Sequence, residues 1–110
     1  MIEKIVLDYL NGVLDVPCYM EVPEKPITPY VVIEKTGESE TNKILSGTLA
    51  IQSISTSLYN AAKLDEEVKT AMESIVELDS VYRCRLAGSY NFTDTSTKRY
   101  RYQSVFDMTY

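Results

Sequence analysis

The chain reads as an α+β fold: one antiparallel sheet of about four strands packed with two helices, in the order α-β-β-α-β-β. Two observations predict it. Apolar residues recur at helical spacing in two stretches, and β-branched or strictly alternating residues mark four others. A third observation, the absence of any internal repeat or low-complexity tract, argues against a solenoid or a disordered tail. Residues 1–110 are expected to form a single domain, which at this length buries roughly two-thirds of its unfolded surface without help from metals or disulfides.

The first helix is expected over residues 2–14, where Ile2, Ile5, Val6, Tyr9, Leu10, Val13 and Leu14 form an i, i+3, i+4, i+7 stripe. Gly12 weakens its last turn, and Pro17 marks its end. In the segment Val22–Pro29, the three prolines Pro23, Pro26 and Pro29 forbid a central strand and predict an extended strap crossing the domain.

Tyr30–Thr36 is the first strand, with Val31 and Ile33 on one face and Val32 and Glu34 on the other. The second is Gly47–Ser55, where Leu49 and Ile51 alternate with Ala50, Gln52 and Ile54. Gly37–Lys43 between them is small and polar, longer than a two-residue turn, and is expected to be a mobile hairpin tip. Thr56 or Ser57 caps a helix from about Leu58 to about Glu77, striped by Ala61, Leu64, Val68, Ala71, Met72, Ile75 and Leu78. Its other face is Lys63, Glu66, Glu67, Lys69, Thr70, Glu73 and Glu77.

The closing stretch alternates twice. Tyr82, Cys84, Leu86, Gly88 and Tyr90 share one face of a strand whose opposite face holds Arg83 and Arg85. Tyr100, Tyr102, Ser104, Phe106, Met108 and Tyr110 share one face of the next, opposite Arg99, Arg101, Gln103 and Asp107. This geometry sets the tyrosine rings apart from the guanidinium groups, so the rings are expected in the core and the arginines on a free surface.

Charge sharpens the picture. The net charge is −5. Residues 1–80 sum to −8 and residues 81–110 to +3, and all four arginines lie in the second stretch. Arginine pairs bidentately with carboxylates and phosphates, so its segregation predicts an ion-pairing surface. The acidic total argues against dedicated nucleic-acid binding. With no His and two Cys, the chain has neither a Ser-His or Cys-His pair nor the ligands of a common zinc site. The four glycines are scattered singly, so no phosphate-binding loop exists. Glu66, Glu67, Glu73 and Glu77 fall on the exposed helix face and read as solvated surface. The expectation is therefore no enzyme, no metal and no cofactor. Cys18 and Cys84 are expected to be reduced core fillers in a cytoplasm, since acids at positions 3 and 8 interrupt any leader-like apolar run and no membrane span is present.

The order of elements, the strand Gly47–Ser55 running straight into the helix at Leu58, and above all Thr93-Asp94-Thr95-Ser96-Thr97-Lys98-Arg99-Tyr100-Arg101-Tyr102-Gln103-Ser104-Val105-Phe106-Asp107 resemble the tail terminator and tail-completion (tail-to-head joining) proteins of long-tailed phages and prophages. The likeness runs from the first helix to the last strand. It implies a structural protein of virion assembly that forms a hexameric ring on the end of the tail tube, stops tail polymerisation and offers the surface to which the head attaches. The implied partners are further copies of the chain, the tail tube protein and a head connector or stopper protein, with DNA at most passing through the lumen and no membrane. The implied locations are the host cytoplasm during assembly and the head-tail interface of the virion. Carried onto this sequence, the hairpin residues Glu38, Glu40, Asn42 and Lys43 would reach a neighbour or the lumen, and Arg83, Arg85, Arg99 and Arg101 would form the basic strand face. Two alternatives stand beside it: a head-completion or stopper protein of the connector, and a cytoplasmic binding or regulatory domain that takes an acidic peptide or ligand on the arginine face.

Overall fold

Apolar stripes on two helices need one sheet face to cover, and they share it. The computed structural model describes residues 1–97 and 99–110. Helix α1 (Ile2–Val13) turns Ile2, Val6 and Leu10 into the core, while Val13 at the end of the stripe stays half-exposed. Helix α2 (Leu58–Glu73) buries Ala61, Leu64, Val68 and Met72, and its N-terminus is capped by Ser57, whose hydroxyl accepts the Asn60 N–H at 3.1 Å. The expected helix to Glu77 stops four residues earlier. A short 3₁₀ turn, Ile75–Glu77, follows Ser74 and still delivers Ile75 to the core.

The sheet has five strands, one more than expected: β1 (Cys18–Tyr19), β2 (Tyr30–Thr41), β3 (Ile44–Ser55), β4 (Arg83–Asn91) and β5 (Tyr100–Thr109), in spatial order β1-β2-β3-β5-β4. It is mixed, because β1 runs parallel to β2 and pairs Cys18 with Val31 and Tyr19 with Val32. Two residues are too few to show alternation, so the sequence carried no strand signal there. The Asn11 side chain completes the far side of β1 like a further strand, accepting the Cys18 N–H at 2.9 Å and donating to the Cys18 carbonyl at 3.3 Å.

The stretch Gly37–Lys43 is not a long loop. Strands β2 and β3 stay paired out to Thr41 and Ile44, and Asn42 (φ 53°) and Lys43 (φ 65°) form the two-residue turn. Both central residues have positive φ, the hairpin-turn geometry that matches strand twist. Backbone pairing holds this stem although Glu38 to Thr41 are exposed, so no buried face wrote an alternating pattern into the sequence. The molecule is elongated, 45 × 25 × 25 Å.

Val31, Ile33, Leu49, Ile51, Phe106 and Met108 meet both helices in one core with Cys18, Ile75 and Val81. Truncating any of the larger ones to Ala costs about 2–5 kcal/mol. A smaller cluster of Tyr30, Val32 and Ile54, with Tyr19 against it, lies on the other face of the sheet at the β1 end. There Tyr19 shares a recess with the strap residues Pro23, Ile27 and Pro29. Among the described residues, no helix covers the second face beyond that corner.

Candidate functional site

A β-bulge decides what stands on the helix-free face. Leu86 pairs with Phe106 and Gly88 with Val105, leaving Ala87 as the extra residue. Arg83 and Arg85 therefore lie on the free face before the bulge, as expected, but the alternation flips after it. Tyr90, expected on the core side with Cys84 and Leu86, stands on the free face beside Gln103. A second bulge after Lys35 does the same in β2: Lys35 pairs with Leu49 and Gly37 with Thr48, which puts Glu38 on the core side and Ser39 on the free side.

Cross-strand rows then read across the free face. Arg83, Thr109, Ser46 and Ser39 form one row, and Arg85, Asp107, Thr48 and Gly37 the next. Together they line a shallow groove of about 370 Å³ with a floor of small and hydroxyl side chains. Asp107 Oδ1 accepts the Thr48 hydroxyl at 3.0 Å, and Oδ2 lies 3.5 Å from Arg85 Nη2. The Arg85–Asp107 pair is solvent-exposed on both sides and contributes at most about 1 kcal/mol. Arg83 has no ion pair among the described residues.

At the other end of the face Gln52 donates to Gln103 at 3.1 Å, and Gln103 donates to the Tyr90 hydroxyl. Arg101 is folded against its own sheet: its Nε donates to the Phe92 carbonyl at 2.7 Å and its guanidinium lies 4.6 Å from the Phe92 ring centre. Tyr90 meets Phe92 edge to face at 6.1 Å. Arg99 pairs its backbone with Asp94 just outside β5. The four arginines are thus two groups, an exposed pair at Arg83 and Arg85, of which Arg85 meets Asp107, and a distant pair of which Arg101 is engaged. None pairs with the acidic residues of α2 among the described residues, because that helix covers the opposite face.

The hairpin residues divide likewise. Glu38 accepts the Tyr110 hydroxyl and Lys35 Nζ at 2.9 Å, and these bonds hold its carboxyl below the usual range. The Tyr110 hydroxyl is held above its ordinary pKa by burial first and by Glu38 second. Its ring fills the space over Gly47, where an added Cβ would stand 2.6 Å from the hydroxyl oxygen. Glu40, Asn42 and Lys43 are exposed at the distal end. The structure therefore brings the hairpin stem and Arg83–Arg85 into one groove, and leaves Arg99 and Arg101 outside it.

Sequence reasoning missed Asp65. It is 1% exposed and accepts hydroxyl donors from two neighbouring strands, Ser89 Oγ at 2.8 Å and Ser104 Oγ, with Lys69 Nζ 3.5 Å away. The signal was present: position 65 lies four after Ala61 and three before Val68, inside the apolar stripe. Cys18 and Cys84 are free thiols, both raised to about 11 by burial. Among the described residues no three His, Cys, Asp or Glu side chains come together as metal ligands, and no helix is long and apolar enough to cross a membrane. Comparison with known proteins finds no family model and no curated protein that matches the chain.

Proposed function

We propose that this chain is a non-catalytic assembly subunit of a phage or prophage tail, which forms a ring on the end of the tail tube, stops its polymerisation and presents the surface to which the head joins. The observation that carries this reading is the unequal dressing of one sheet. Its helix-covered side presents the acidic face of α2, and its uncovered side presents Arg83 and Arg85 over a floor of small side chains. A subunit with opposite charges on opposite sides suits stacking between different partners at the end of a tube. Head-to-tail association of identical copies closes into a ring when the rotation permits. Individual surface ion pairs are weak, so such a ring depends on many modest contacts and on the tube as template.

The test is electron microscopy of tails made with and without the chain. Overlong tails without attached heads are expected in its absence; tails of normal length and normal head joining would refute the reading. Arg83→Glu with Arg85→Glu is the informative surface variant, since neither side chain supports the core and Arg101 does hold its own loop. It should fold normally and fail in joining. One observation favours a second reading, a binding domain for acidic peptides: the groove at Arg83 and Arg85 is concave, and of its two acids Glu38 is already paired with Lys35 and Asp107 lies 3.5 Å from Arg85. A strictly monomeric protein that binds poly-glutamate and never associates with tails would favour that reading instead.

A further inference from the structure

Beside the polar turn of the hairpin stand two aliphatic side chains open to solvent. Ile44 is 54% exposed and Leu45 36%, directly after Lys43, and they point to opposite faces of the hairpin. Lys43 itself occupies a left-handed backbone position that glycine fills at less cost. A hairpin paired through Thr41 and Ile44 does not fold back on its own chain, so the exposed parts of Ile44 and Leu45 are open to another surface.

A matching surface lies on the helix side of the sheet, distinct from the arginine groove. Between α2 and β4 runs a groove of about 280 Å³ whose apolar residues are Met72, Cys84, Leu86 and Phe106. Leu86 is 44% exposed there, and β4 is an edge strand, so the groove opens sideways. Its rim is acidic: Lys69 is taken by Glu66 at 2.7 Å, and Glu73 has no ion pair among the described residues. Lys43 likewise has none among them.

We infer that the hairpin tip of one copy seats in the α2–β4 groove of the next, with Ile44 against Cys84 and Leu86 and Lys43 facing Glu73, while Glu40, which shares the Leu45 face, is turned away from the acidic rim. The occupant is a second copy of this chain, chosen by the exposed aliphatic Ile44 and by the match of Lys43 to Glu73. This rests on the ring reading and names the contact between neighbours. Because tip and groove are different surfaces, the contact is heterologous and propagates from copy to copy, as a ring or filament requires.

Native Cys84 makes the test direct. Leu45→Cys and Ile44→Cys are introduced separately into the full chain, whose other thiol, Cys18, is only 5% exposed. The variants are oxidised mildly at alkaline pH and run on non-reducing gels. A docked tip gives a ladder extending past dimer, since each copy then holds one donor and one acceptor thiol, and adding Cys84→Ser abolishes it. Dimers alone that survive Cys84→Ser would mean tip-to-tip contact and overturn the inference. So would association by sedimentation, or rings on tail ends, with no crosslink through Cys84; the ring reading would survive that result. Absence of association in solution and on tails would overturn both. Independently, Leu45→Asp with Ile44→Asp should weaken self-association by tenfold or more with an unchanged circular dichroism spectrum, and unchanged association would refute the docking.

Discussion

Replacing Asp65 by Ala removes the acceptor that ties α2 to two strands at once. In the native chain its carboxylate takes hydroxyl hydrogen bonds from Ser104 on β5 and Ser89 on β4. Hydrogen bonds to a charged group contribute about 1.5–3 kcal/mol each. Their loss also leaves the Ser104 hydroxyl, which is 0% exposed, without a partner, at about 1–3 kcal/mol. Opposing this, the substitution relieves the desolvation of a buried carboxylate, which amounts to several kcal/mol. Lys69 turns to Glu66 at no great cost because it is 22% exposed and already bonded there. The net expectation is a loss of about 3 kcal/mol, a large part of the roughly 5–15 kcal/mol that holds a domain of this size. Urea unfolding followed by far-ultraviolet circular dichroism reads it as a midpoint lowered by about 2 M, with a slope near 1.5 kcal/mol/M. Asp65→Asn keeps one acceptor and should fall between. Asp65→Leu with Ser89→Ala and Ser104→Ala removes all partners together and should recover most of the loss. An Asp65→Ala protein within about 0.5 kcal/mol of the parent would refute the reasoning, because the range for neutral surface changes would then contain it.

Three further outcomes follow from the geometry. Gly47→Ala displaces the Tyr110 ring and breaks its bond to Glu38, costing about 1–2 kcal/mol, and its cost should be less than additive with Tyr110→Phe in the same unfolding assay. Lys43→Gly relieves the left-handed backbone position at φ 65° and should stabilise the monomer by about 0.5–1 kcal/mol; a destabilised variant would contradict the turn geometry. Burial raises both thiols to about 11 from 9.0, so folding favours their protonated form: this contribution is whole below pH 9 and is lost as the pH rises through about 11. The urea midpoint should hold up to that window and fall within it, and a thiol reagent should label Cys84 before the more buried Cys18; the opposite labelling order would contradict the packing.

The legible parts of the fold share one physical property, a side chain pattern written by burial. The α1 stripe of Ile2, Val6 and Leu10, the α2 stripe from Ala61 to Ile75, and Leu49, Ile51, Phe106 and Met108 all announced themselves because one face of each element meets the core. Where burial writes nothing, the sequence was silent. The distal hairpin stem is exposed on both faces, and β1 is two residues long. Asp65 was missed because a carboxylate in an apolar stripe makes sense only once two hydroxyls arrive from strands 24 and 39 residues away.

By itself the sequence determined the class, two helices with a sheet, together with the uneven charge and the placement of Arg83 and Arg85 on the strand face opposite Cys84 and Leu86. Local spacing suffices for these, since period and charge are properties of adjacent residues. Only the tertiary structure decided which residues share a surface. The bulges at Thr36 and Ala87 each insert one residue into a period of two, and so exchange the faces of everything beyond them. That exchange put Tyr90 beside Gln103, turned Glu38 toward Tyr110, and brought the hairpin stem and Arg85 together in one groove. Pairing register is set between strands far apart in the chain, and no count along a single strand contains it.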